Sequence, residues 1–101
     1  MTTYEEIMKE FKQEIAQGIE LDDIKDRSYE YVDNYVPVYN NDIIREWQAM
    51  PSDYDDRGAA EFGYEDSPSI VRLMALDLTL YYGELVALVL DDLTEELESV
   101  A

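Results

Sequence analysis

From Pro68 to Glu98 nothing in the chain interrupts a helix except Gly83. Ser67 is placed to cap that helix, and Pro68 to occupy its first position, where a missing N–H costs nothing. At 1.5 Å per residue the run is a rod of roughly 45 Å. Placing its residues at helical intervals gathers Val71, Ala75, Leu78, Tyr82, Val89 and Leu93 on one face. The opposite face carries Asp77, Glu84 and Asp91, seven apart, joined by Glu95. Leu73, Leu80 and Leu88 flank that acidic stripe, so it is not purely polar.

The other segments also read as helix, but shorter. Thr3 and Glu6 have capping-box spacing, and Ile7, Phe11 and Ile15 recur every fourth residue behind them. The spacing predicts a helix from about Tyr4 to Gln17, with Gly18 ending it. Asp22 and Asp23 open a second helix, where acids favour the positive end of the dipole. Ile24, Tyr31, Val32 and Tyr35 give it an apolar face. Pro37 stops it and pushes Val36 towards extended backbone. A third helix starts at Asn40 or Asn41, carries Ile43, Ile44 and Trp47, and is closed by Pro51. Residues 51 to 68, with two prolines, two glycines and six acids, read as a long loop. The expected fold is a single all-α domain over residues 1–101: an elongated four-helix body with short N-terminal helices and one long C-terminal helix.

Charge is the other strong constraint. Twenty-five acids face seven bases, for a formal charge of −18 on 101 residues. Such self-repulsion works against a compact state. Roughly two to eight units of net charge suffice for solubility in a small domain, so solubility does not account for the excess. A surface of this sign repels nucleic acid and anionic membrane, so neither is an expected partner. It attracts strongly basic clefts, of which those that grip DNA are the most basic. A hydrophobic content of 47% excludes a disordered acidic tail. Met1 leads into an amphipathic acidic segment rather than a secretory leader, and the longest unbroken apolar run, Leu85 to Leu90, is too short to span a bilayer. The cytosol is the expected compartment.

The residue types give catalysis little to work with. Absence of histidine removes the usual general base and the commonest transition-metal ligand, and absence of cysteine removes thiolate chemistry. Asp53, Asp55 and Gly58 match three positions of a calcium loop, but Arg57 and Tyr64 stand where oxygen ligands are required. Asp77, flanked by leucines, is the best candidate for a carboxylate of shifted acidity; an exposed acid on a helix face is the commoner arrangement. No cofactor or metal is implied, and the chain does not read as an enzyme. Nine tyrosines and one tryptophan suit a half-buried roof over a small core. Trp47, beside Ile43 and Ile44, fits either that core or a subunit contact.

Duplex DNA carries about one negative charge per 1.7 Å of axis. A charge of −18 therefore matches roughly 30 Å of duplex, and a two-fold pair of chains roughly 60 Å. Acids on the long helix, on the second helix and in the 53–66 loop would together supply such a surface. Two other classes fit the composition less closely. One is an acidic adaptor or chaperone that shields a basic protein without imitating DNA, and the other is a metal-dependent carboxylate enzyme.

Three segments carry a resemblance. Ile19-Glu20-Leu21-Asp22-Asp23-Ile24-Lys25-Asp26 resembles the Ile-x-x-Asp-Asp-Ile-basic-Asp segment of the Ocr-type phage anti-restriction proteins. Val36-Pro37-Val38-Tyr39, followed by Asp42-Ile43, is similar to that family's Val-Pro-x-Tyr with Asp-Ile close behind. Ile70-Val71-Arg72-Leu73 looks like the start of its long C-terminal helix. The order agrees from about residue 4 to residue 98. The resemblance implies an all-helical, elongated homodimer that imitates bent DNA. It further implies a partner, the DNA-binding channel of a host defence enzyme: a type I restriction–modification enzyme or a BREX methyltransferase. The acids expected to stand for phosphates are Asp22, Asp23, Asp26, Asp42, Asp53, Asp55, Asp56, Asp77, Glu84, Asp91, Asp92 and Glu95. The dimer contact implied by the resemblance falls on Ile44, Trp47 and Ile70.

Overall fold

In the computed structural model, residues 1–51 and 68–100 are described. They form five helices and no strand: α1 (Tyr4–Ala16), α2 (Leu21–Asp26), α3 (Ser28–Tyr35), α4 (Asn40–Ala49) and α5 (Pro68–Val100). The body is elongated, 51 × 24 × 19 Å. Its long axis matches the roughly 50 Å expected of a 33-residue helix. α1, α3 and α4 each pack along α5, while α2 packs on α3.

Local signals set the ends of α1. The Thr3 hydroxyl accepts the Glu6 N–H at 3.3 Å, which satisfies one of the orphan donors of the first turn. At the other end Gly18 takes a φ of +101°, the only positive φ among the described residues. Its N–H donates to Ile15 O and the Ile19 N–H to Glu14 O, both at 3.0 Å. This paired closure satisfies carbonyls the helix leaves open and requires a residue without a Cβ. The proline turn behaves as its sequence dictates: Val36 caps α3 in extended backbone (φ −77°, ψ 124°).

The single second helix expected over residues 22–36 is two helices. Arg27 leaves the helical backbone (φ −108°, ψ 20°) between α2 and α3. No proline or glycine stands there, so the break is tertiary in origin. α3 lies on α5, and α2 leaves that line while Ile24 stays buried in the common core.

The core is one apolar cluster. Ile7 and Phe11 of α1, Ile24 of α2 and Tyr31 and Val32 of α3 meet Ile43 and Trp47 of α4. All of them join the buried face of α5, including Val71, Met74, Leu78, Tyr82, Val86, Val89 and Leu93. Phe11 and Tyr31 meet edge to face with ring centroids 4.9 Å apart, an arrangement that adds to simple area burial. On length and composition the stretch Ile70–Ser99 is apolar enough to cross a bilayer, since 18 consecutive residues within it reach a mean hydropathy of 1.7. A search for unbroken apolar runs misses it because acids and a glycine punctuate it. Packing by three other helices accounts for its buried face.

Replacing Gly18 by alanine puts a Cβ on a left-handed backbone although nothing crowds the position. The Gly18→Ala variant is expected to lose about 1 kcal/mol of stability, read as a lower urea midpoint with an unchanged slope.

Candidate acidic binding surface

Asp22, Asp23 and Asp26 lie exposed on α2, the first two in its opening turn where the backbone N–H groups favour negative charge. Glu84, Asp91 and Glu95 lie exposed on α5. Asp42, in the first turn of α4, is half-buried, with Arg45 Nη1 3.8 Å away. Asp92 is half-buried as well and accepts the Tyr4 hydroxyl at 2.6 Å. Asp53, Asp55 and Asp56, with the calcium-loop comparison, lie outside the described residues.

Asp77 is not a surface acid. It is 3% exposed and accepts Trp47 Nε1–H at 2.8 Å. The cause is helical drift. A seven-residue spacing on a 3.6-residue helix rotates about 20° per step, so the stripe through Asp91 and Glu84 has moved towards the core by Asp77. There α4 covers it. An acid assigned to partner binding is instead a buried tie between α4 and α5.

The same packing alters the dimer contact implied by the resemblance. Trp47 and Ile70, at 4% and 7% exposed, belong to the core of a single chain, and only Ile44 keeps a partly open side chain against it. Burial within the monomer leaves too little of Trp47 and Ile70 to anchor a second subunit.

Cations neutralise few of these acids. Among the described residues three ion pairs form: Lys12–Glu96 at 3.0 Å, Arg45–Asp42 at 3.8 Å, and the Met1 amino group with Glu46 at 3.7 Å. Tyrosine hydroxyls hold carboxylates instead. Tyr31 donates to Glu14 at 2.6 Å and Tyr35 to Glu10 at 2.5 Å, so two acids one turn apart on α1 face two tyrosines one turn apart on α3. Tyr82 donates to Glu46 at 3.3 Å. A neutral donor fixes an acid in place without cancelling its charge. Glu10 and Glu14 were absent from the acids read off the sequence. The available signal was the matching four-residue spacing of Glu10/Glu14 and Tyr31/Tyr35 on neighbouring helices.

Burial and these bonds raise the pKa of four tyrosines. Tyr4 is pushed up to about 12, chiefly by its bond to Asp92. Tyr31 rises to about 12 through burial and then through its bond to Glu14. Tyr82 also rises to about 12, by burial and the nearby Glu46 charge. Tyr35 rises too, through burial and then its bond to Glu10.

Among the described residues no three carboxylates converge on a point where they could hold a metal ion. No family model, curated protein or solved structure matches the chain.

Two outcomes follow from this geometry. A tyrosine whose native pKa lies above its unfolded value of 10.0 contributes stability that is full below pH 10 and lost as pH rises through about 12. The folded chain should therefore resist base up to about pH 10, and part of its phenolate absorbance should appear only as it unfolds above that pH; a late step left unchanged when Tyr4, Tyr31, Tyr35 and Tyr82 are replaced by phenylalanine would contradict these bonds. Asp77→Ala removes the acceptor of Trp47 Nε1–H and is expected to cost about 2 kcal/mol. Asp77→Asn, which keeps an acceptor oxygen, should cost less, and Glu84→Ala on the open face no more than about 0.5 kcal/mol. Urea titration of the three variants checks that order.

Proposed function

We propose that this chain is a DNA-mimicking inhibitor that occupies the DNA-binding channel of a host defence enzyme in the host cytoplasm. The observation that carries this reading is the display of largely un-neutralised acids along a body 51 Å long. A duplex of that length carries roughly 30 charges. A chain of −18 supplies more than half that density, at about the 20 Å width its two shorter dimensions give. α2 offers three acids and the C-terminal half of α5 a further series, on elements that packing holds rigid. Preformed charge of this kind speeds encounter and favours a basic channel over other partners. The resemblance to Ocr-type proteins supports a type I restriction–modification enzyme or a BREX methyltransferase as target. The inhibitor has no chemistry to perform; it competes for a site.

The test is competition on such an enzyme, purified, with a defined duplex. Duplex should displace the protein, and added salt should weaken the complex, as it weakens the binding of DNA. Neutralising Asp22, Asp23, Asp26, Glu84, Asp91 and Glu95 together to Asn or Gln should weaken inhibition. At about 0.5 kcal/mol per exposed charge the total is about 3 kcal/mol, or roughly 100-fold, with a shallower salt dependence. Equal inhibition by the neutralised variant would sink the reading. Binding that duplex cannot displace would transfer the protein to the class of acidic adaptors.

A further inference from the structure

A groove of about 350 Å³ opens between α3 and α5. Val32, Val86 and Leu90, all buried, form its floor, and Gly83 and Ala87 leave its α5 wall almost without side chains. A Cβ built on Gly83 meets nothing within 4 Å. The Thr79 hydroxyl beside it donates to Ala75 O at 2.9 Å and is thereby occupied within α5. The apolar strip runs on past the groove. Leu76 and Leu80 are 54% and 49% exposed and lie within about 60° of Gly83 around the helix. From Leu76 to Leu90 the strip is about 21 Å long, or about four turns.

Its banks are acidic. Asp33 lines the α3 side and is exposed. On the α5 side Asp91 and Glu84, both exposed, stand about 40° and 60° around the helix from Ala87. Residues 28–35 and 79–91, the segments that border the groove, contain no lysine or arginine. Arg27, next along the chain, is turned back along α2, its Nε donating to Asp23 O at 3.5 Å. Arg72 stands one turn before Leu76, at the end of the strip away from Asp91.

We propose that this groove binds a short basic amphipathic helix of a protein partner. Its apolar face sits on Val32, Val86 and Leu90, and its lysines or arginines meet Asp33 on one bank and Asp91 and Glu84 on the other. Charge and shape together select that occupant. Acids on both banks call for cations on both flanks, which excludes a second copy of a chain of −18. An apolar floor calls for an apolar face. The near-absence of side chains at Gly83 and Ala87 lets a helix lie close along α5, with anchors one turn apart along its own axis. Burial of apolar surface is not screened by salt as charge is, so this contact adds a salt-resistant part to binding, which phosphate-like acids alone do not supply. The inference is independent of the DNA-mimic reading, because a nuclease, a methyltransferase or a basic protein shielded by an adaptor can each present such a helix.

The probe is a synthetic peptide of leucine and lysine, about four helical turns long, with its leucines on one face. Two controls are a scrambled peptide of the same composition and an oligolysine of the same charge. By calorimetry the amphipathic peptide should bind at least tenfold more tightly than either control. In nuclear magnetic resonance the amides of Val32, Gly83 and Ala87 should shift. Gly83→Leu fills the groove from an open position, and its helical circular dichroism should be unchanged. It should weaken the amphipathic peptide at least tenfold and leave oligolysine binding as it was. Asp33→Asn should weaken the amphipathic peptide about twofold. Equal binding of the scrambled peptide would overturn the proposal, as would undiminished binding by Gly83→Leu or shifts confined to α2 and the end of α5. Binding of neutral phosphatidylcholine vesicles that Gly83→Leu abolishes, with no preference among the peptides, would make the strip a lipid contact and equally overturn it. No DNA enters this experiment, so its outcome and that of the duplex competition are decided separately.

Discussion

Cohesion in this protein has to be achieved against its own charge. With 25 acids and seven bases, carboxylate–cation attraction cannot hold the helices together, and only three ion pairs form among the described residues. Two other interactions replace it. The first is apolar burial along α5, which gathers every other helix directly or through α3. The second is the donation of neutral hydrogen bonds to acids at the seams: Tyr31 and Tyr35 join α3 to α1, Tyr4 joins α1 to the end of α5, and Trp47 joins α4 to Asp77. A lysine at any of these seams would hold the helices as well, but it would cancel a charge. A tyrosine leaves the charge of Glu10, Glu14 or Asp92 standing.

That choice links the fold to the proposed function. An inhibitor that competes with DNA needs negative potential and needs its carriers fixed, because a floppy acid loses entropy on binding. Neutral donors meet both demands. Glu10, Glu14 and Asp92 keep their charge while their side chains are fixed by hydroxyls on neighbouring helices. The exposed acids of α2 gain a different support from the N-terminal backbone dipole.

Much of this was legible from residue order. Thr3, Gly18, Pro37 and the apolar period of α5 predicted the helix ends and the buried face, because each acts through its own backbone or its nearest turn. The division of α2 from α3 at Arg27 was not legible, since no proline or glycine stands there to break the helix. Asp77 was misplaced for a related reason. Its side of α5 was read from periodicity, while its burial depends on where α4 crosses. Trp47 fitted core or interface equally well until the position of Asp77 settled it as core. Glu10 and Glu14 went unnoticed because an acid on an amphipathic helix looks alike whether free or held by a tyrosine on another helix.

The account rests on carboxylates that repel one another while the core and neutral donors hold them in place. The most direct measurement is the melting temperature as a function of ionic strength, at neutral pH. Between roughly 0.01 M and 0.15 M salt the screening length falls from about 30 Å to about 8 Å, and relief of repulsion worth about 1 kcal/mol should raise the melting temperature by about 5 °C. A melting temperature that falls over the same range would mean that attractive ion pairs hold the molecule together, and would contradict the account.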